Sequence, residues 1–161
     1  MKKQQGFTLI ELVIVIVILG ILAVTAAPKF LNLAGDAKAG TLNAVKASLQ
    51  SANAEIYGKA ILQNKQAAAD GTLVNPAVTT AFGYAKATED NLKLMLDVPD
   101  FKFQAGVDNT DLKIVKSTDV LVLPSDSTAI DGNSKTACAL VYRQATEAGA
   151  KPTYTVINTG C

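Results

Sequence analysis

Few residues in this 161-residue chain could do chemistry. His is absent, which removes imidazole acid–base catalysis and His metal ligation. Two thiols occur, Cys138 and Cys161. A structural zinc site wants four ligands and a catalytic thiol wants an activating base, so neither use fits. The carboxylates number 14 and are scattered. The runs Asp108–Asp111 and Asp126–Asp131 hold oxygen ligands of the kind calcium takes. Neither has EF-hand spacing, and Asp and Asn favour turns for local hydrogen-bonding reasons. The chain contains no P-loop, no G-x-S-x-G, no G-x-G-x-x-G and no S-x-x-K constellation. These residues predict a protein that is not an enzyme and has no cofactor and no metal. One carboxylate stands apart: Glu11 sits alone inside an otherwise apolar stretch.

That stretch runs from Phe7 to Ala27 and holds only apolar and small residues besides Thr8, Glu11 and Thr25. Its 21 positions span roughly 31 Å as a helix, close to the hydrocarbon thickness of a bilayer. In lipid a single segment must satisfy its own backbone, so the β-branched run VIVIVI still reads as helix. Lys2 and Lys3 precede it and place the N-terminus in the cytoplasm. Three readings compete. A secretory signal peptide fits the basic start, but its one small-residue cleavage site, Thr25-Ala26-Ala27, is followed by Pro28. A permanent single-span anchor fits the length and leaves Glu11 unexplained. A carboxylate at the centre of a span costs roughly 2.5–3.5 kcal/mol, less near an end, and needs a partner.

The third reading supplies that partner. The string Gly6-Phe7-Thr8-Leu9-Ile10-Glu11 resembles the processing motif of type IV prepilins. The resemblance implies that a prepilin peptidase cuts between Gly6 and Phe7 on the cytoplasmic side. It implies that Phe7 is then N-methylated and that the apolar helix is kept. Residues 18–37, ILGILAVTAAPKFLNLAGDA, look like the mannose-sensitive haemagglutinin branch of these pilins, which has short leaders of the type IVa class. The likeness is strong over residues 6–37 and weak beyond.

The cut would create an amine at Phe7 for Glu11 to pair with, most usefully across to a neighbouring subunit. Such a pair is stronger in a low-dielectric bundle than in water and could set the axial register between subunits. Glu11 also lies in the first turns of the helix, where negative charge suits the macrodipole.

The expected architecture is α+β: a long N-terminal helix, its first half protruding and its amphipathic half packed on an antiparallel β-sheet. The expected divisions are a leader at 1–6, a transmembrane and assembly half at 7–28, and a globular head at 29–161. The helix should continue past Pro28 to about Leu62, with Pro28 and Gly20 as weak points. In related filaments the equivalent Gly-to-Pro stretch loses helical order, which the resemblance carries to Gly20 and Pro28. Leu42, Val45, Leu49, Ala52, Ile56 and Ala60 form one stripe at helical spacing. Residues 63–87 read as an irregular connector with one short strand. Thr88 should cap a short helix through Leu96.

Strands are expected at Phe101–Val107, Leu112–Lys116, Val120–Leu123, Ala139–Ala145 and Thr153–Asn158. A final hairpin centred near Gly149–Ala150 would bring Cys138 opposite Cys161. An even Cys pair behind an export-like N-terminus reads as one disulfide. In type IV pilins such a C-terminal bridge encloses a surface region used for subunit contact and adhesion.

The function this implies is the major subunit of a type IV pilus, a surface fibre for attachment. The alternatives are a minor pilin or a type II secretion pseudopilin. An unrelated membrane-anchored binding module would leave Glu11 and the Gly6-Phe7 junction unexplained. The implied partners are copies of the chain itself, the prepilin peptidase, the inner-membrane pilus assembly machinery and an unidentified host or surface ligand. The implied location is the inner membrane of a Gram-negative bacterium as a single-pass precursor, then an extracellular fibre.

Overall fold

The structure is a computed structural model that describes residues 7–73, 77–112 and 115–161, without the side chains of residues 27–32. Helix α1 spans Leu9–Leu62. Its apolar first part, Leu9–Ala26, packs on nothing among the described residues. Its C-terminal half carries the stripe that builds the head. Leu42, Val45, Leu49, Ile56 and Ala60 are all buried. The sixth position belongs to Asn53, which is 1% exposed, and not to Ala52, which is only partly covered. A polar side chain thus replaces the small apolar one that spacing suggested. The small residues Ala44, Ala47, Ser48, Ser51, Ala54 and Gly58 all face outward.

The chain then forms strands β1 (Gly71–Thr72), β2 (Thr79–Ala81) and β3 (Tyr84–Ala85), which make a small antiparallel sheet in that order. One short strand was expected here; three occur. Helix α2 (Glu89–Met95) follows, and Thr88 caps it by accepting the Asn91 amide at 3.3 Å. Asn91 is buried and its side chain fixes the small sheet, donating to the carbonyls of Thr79 and Lys86 at 2.9 and 3.0 Å.

Strands β4 (Phe101–Ala105), β5 (Val120–Pro124), β6 (Ala139–Arg143) and β7 (Thr153–Ile157) form a four-stranded antiparallel meander. Val120, Val122, Leu140 and Tyr142 face α1 and α2 and share a core with Leu42, Val45, Leu49 and Leu92. Leu121, Leu123, Ala139 and Val141 point the other way, into a second core closed by Leu112, Val115 and Ile130. Burial on both faces explains why β5 reads as an unbroken apolar run in place of alternation.

The expected strand at Leu112–Lys116 is absent among the described residues. The Leu112 amide donates to Asn109 Oδ1, and the Val115 amide donates to the Leu112 carbonyl at 2.8 Å. A side-chain acceptor has taken the Leu112 amide, and Leu112 and Val115 are buried; residues 113–114 of the expected strand lie outside the described residues. Gly106 fits here because its backbone passes close: an added Cβ would lie 2.0 Å from the Lys116 carbonyl oxygen. Asp119, among the scattered carboxylates, is buried, and Arg143 grips it through Nε and Nη2, both at 2.8 Å. That paired geometry satisfies a charge that would otherwise be expensive to bury.

Candidate functional site

Helix α1 begins with a reciprocal cap. Thr8 is extended and its hydroxyl accepts the Glu11 amide at 3.4 Å. Glu11 Oε2 in return accepts the Thr8 amide at 2.8 Å and the Thr8 hydroxyl at 2.7 Å. Two backbone donors of the open helix end are thereby met, in the T-x-x-E pattern of a capping box. The sequence reading gave Glu11 a dipole role and missed Thr8, although the pattern was legible. Glu11 Oε1 accepts no hydrogen bond among the described residues.

Phe7 precedes this cap and is 87% exposed. Gly6 lies outside the described residues. Behind the cap, Leu9–Ala26 is long and apolar enough to cross a membrane, and none of it is covered by the rest of the chain. Gly20 lies in this exposed part, with no neighbouring atom within 4 Å of an added Cβ. Pro28 falls within α1, and its side chain is outside the description.

Cys138 and Cys161 are joined in a disulfide, with Cα atoms 4.7 Å apart. The route differs from the simple hairpin expected. The β6–β7 register pairs Ala139 with Ile157 and Arg143 with Thr153. Continued by one residue, it sets Cys138 against Asn158. A turn then brings Cys161 back, its amide donating to the Asn158 carbonyl at 3.2 Å, while the Gly160 amide donates to the Ala137 carbonyl at 2.9 Å. The backbone of Cys161 lies against Gly35 of α1. Nearby, Lys38 of α1 pairs with Asp126 at 2.7 Å and holds that carboxyl below its ordinary range. The ion pair and the approach of Cys161 to Gly35 hold the end of the sheet against α1, and the bridge pins Cys161 to the residue before β6. Of the two acidic runs, Asp108 accepts the Ser117 amide at 3.0 Å and Asp131 accepts the Asn133 amide at 3.0 Å, so both serve turns.

A capped apolar helix, uncovered among the described residues, thus extends from a small α+β head. Residues 1–27 match the prokaryotic N-terminal methylation motif family. A major component of the type IV narrow pilus of Thermus thermophilus, PilA5, is 38% identical over 90 residues, which cover 55% of this chain and 74% of that protein. A fimbrial protein of Moraxella nonliquefaciens is 40% identical over 95 residues, covering 56% of this chain and 58% of its own. No solved structure matches. The chain belongs to the type IV pilin family, and the relatives it matches are structural pilins.

Two predictions follow from the cap and the bridge. Thr8→Val removes the hydroxyl that Glu11 reciprocates and should cost the helix start about 1 kcal/mol. Amide exchange at Glu11 of the detergent-held chain should then quicken roughly fivefold; unchanged exchange would mean the cap does not hold the first turn. Cys161→Ser should lower the stability of the oxidised head by about 3 kcal/mol on the loop-entropy account. An unchanged melting temperature in the absence of reductant would show that the bridge is not what secures the end of β7.

Proposed function

We propose that this chain is the major subunit of a type IV pilus used for attachment, closest in kind to the mannose-sensitive haemagglutinin pilins. In this reading the prepilin peptidase cuts between Gly6 and Phe7, residues 1–6 leave as the leader, and Phe7 is N-methylated. Residues 7–28 hold the precursor in the inner membrane of a Gram-negative cell and then form the core of the fibre. Residues 29–161 are the head displayed on its surface. The inner-membrane assembly machinery moves the helix from lipid into the bundle.

The observation that carries this reading is the state of Glu11. It is the one acid of Leu9–Ala26, a segment that nothing among the described residues covers, and one of its oxygens is engaged by Thr8 while the other is not. The cut would leave the Thr8 amide intact, because that nitrogen belongs to the Phe7–Thr8 peptide. The cap therefore survives processing, and Oε1 stays available to the Phe7 amine of a neighbouring subunit. Lipid tails are as apolar as the helix, so transfer into the bundle gains packing with little hydrophobic drive. A charge pair at one depth would then select a single axial register. The Gly20–Pro28 segment would serve as the part of the helix that yields when the fibre is stretched.

The Glu11→Val variant should insert in the membrane in normal amount, since it removes a charge from the span. Its fibres, collected by shearing cells, should fall to a small fraction of the wild-type yield. Wild-type fibre yield from Glu11→Val would remove the register role assigned to this acid.

A further inference from the structure

The chain has no Trp and no His, and both of its thiols are held in the disulfide. Of its two methionines, Met1 lies outside the described residues and Met95 packs against two of the cores. The side chains best placed to give up an electron at the surface are therefore tyrosines. All four gather where the end of α1 meets β3 and the start of β7. Tyr57 and Tyr84 stack with ring centroids 4.6 Å apart and planes within 13°. Tyr142 and Tyr154 lie tilted at 5.4 Å.

The first pair is positioned from both sides. Tyr57 follows Ile56, whose burial fixes that turn of α1 in the core. Tyr84 follows the Phe82-Gly83 turn between β2 and β3, in which both residues take positive φ. Gly83 has a particular reason to be glycine: an added Cβ would meet the Tyr57 ring at 2.8 Å. Both rings are half-buried on the wall of a cleft of about 370 Å³, and their hydroxyls make no hydrogen bond with the described residues. Each phenol can therefore hand its proton to water when it loses an electron. Tyr142 differs. It is fully buried, and its hydroxyl donates to the Ala85 carbonyl, which accepts a hydrogen bond but does not take up the proton.

We propose that Tyr57 and Tyr84 are an oxidative cross-linking site, joined as a dityrosine by a one-electron oxidant of the kind a haem peroxidase makes from hydrogen peroxide. Each phenol gives up one electron and its hydroxyl proton and becomes a phenoxyl radical. The two radicals form one carbon–carbon bond between ring positions next to the hydroxyls. The hydrogens on those carbons leave as protons, and the oxygens regain protons from solvent, which restores both phenols. The pair thus loses two electrons and two protons, and one peroxide is reduced to two waters. The stack supplies proximity, because rings already face to face couple without a diffusional encounter. The bond fastens the end of α1 to β3, beside the hydrogen bond from the Ala85 amide to Asn53 at 3.1 Å. The site goes beyond the proposed fibre role and needs no polymer, so it can be tested on the detergent-held single chain.

Trypsin places the four tyrosines in four peptides, residues 47–59, 66–86, 136–143 and 144–161. Full-length protein in detergent is treated with a haem peroxidase and limiting hydrogen peroxide. The product that runs as a monomer on a denaturing gel is reduced, digested and weighed. The main cross-linked species should join 47–59 to 66–86 and be lighter than their sum by two hydrogen atoms. It should exceed any product joining 136–143 to 144–161 by about tenfold. Tyr57→Phe and Tyr84→Phe keep the rings and the packing, and each should abolish that species. The linked protein should also melt at a higher temperature than the untreated protein, since the new bond closes a loop of the unfolded chain. Absence of the species joining 47–59 to 66–86, its persistence in either variant, or a larger product from another pair would overturn the assignment. An unchanged melting temperature would overturn the fastening of α1 to β3. None of these readouts depends on whether the chain forms fibres.

Discussion

A single carboxylate in a helix with no protein around it is the constraint on which the rest of this structure depends. A carboxylate in an apolar span needs a partner, and among the described residues Glu11 finds Thr8 alone. That contact supports the helix start and offsets part of the cost of the acid. It leaves one oxygen without a hydrogen bond among the described residues. Apart from Glu11, and from Thr25 whose hydroxyl is committed to the Leu22 carbonyl at 2.9 Å, Leu9–Ala26 holds only apolar and small residues, none buried among the described residues. The cap and the uncommitted oxygen are what the proposed pairing of Glu11 across subunits draws on.

The head is built on the second half of this helix. Its cores are built on the same helix whose first half is bare. Leu42, Val45 and Leu49 enter the core beside the meander, and Ile56 and Ala60 enter the one beside the small sheet. Between them Asn53 ties α1 to β3 through the Ala85 amide. Farther toward the membrane half, Gly35 against Cys161 and Lys38 against Asp126 fix the helix to the end of the sheet. The disulfide closes the last turn and pins Cys161, which lies against Gly35, to the residue before β6.

Much of this was legible in the sequence where local chemistry decides structure. The apolar run, the Thr88 cap and the stripe at Leu42, Val45, Leu49, Ile56 and Ala60 all follow from periodicity and capping. What could not be read depended on partners distant in sequence. Asn53 displaced Ala52 from the stripe because a β3 amide and a β6 phenol wait at that position. Asp119 looked like any turn carboxylate until Arg143 was brought beside it. At Leu112 the backbone amide goes to Asn109 and not to a neighbouring strand, a choice that strand propensity does not contain. The β6–β7 register differed from the one inferred from its turn, which shifted Cys138 to face Asn158 and required a further turn to close the bridge. Thr8 was the reverse case, a local signal that was present and not used.

The account stands on an amine at Phe7, since without it Glu11 has no assigned partner in the fibre. The direct measurement is the mass of the N-terminal peptide of protein sheared from the surface of its host. A peptide that begins with N-methylated Phe7 is the predicted result. One beginning at Met1 would make the segment a simple anchor, and one beginning at Pro28 would make it a discarded signal; either would contradict the role given to Glu11.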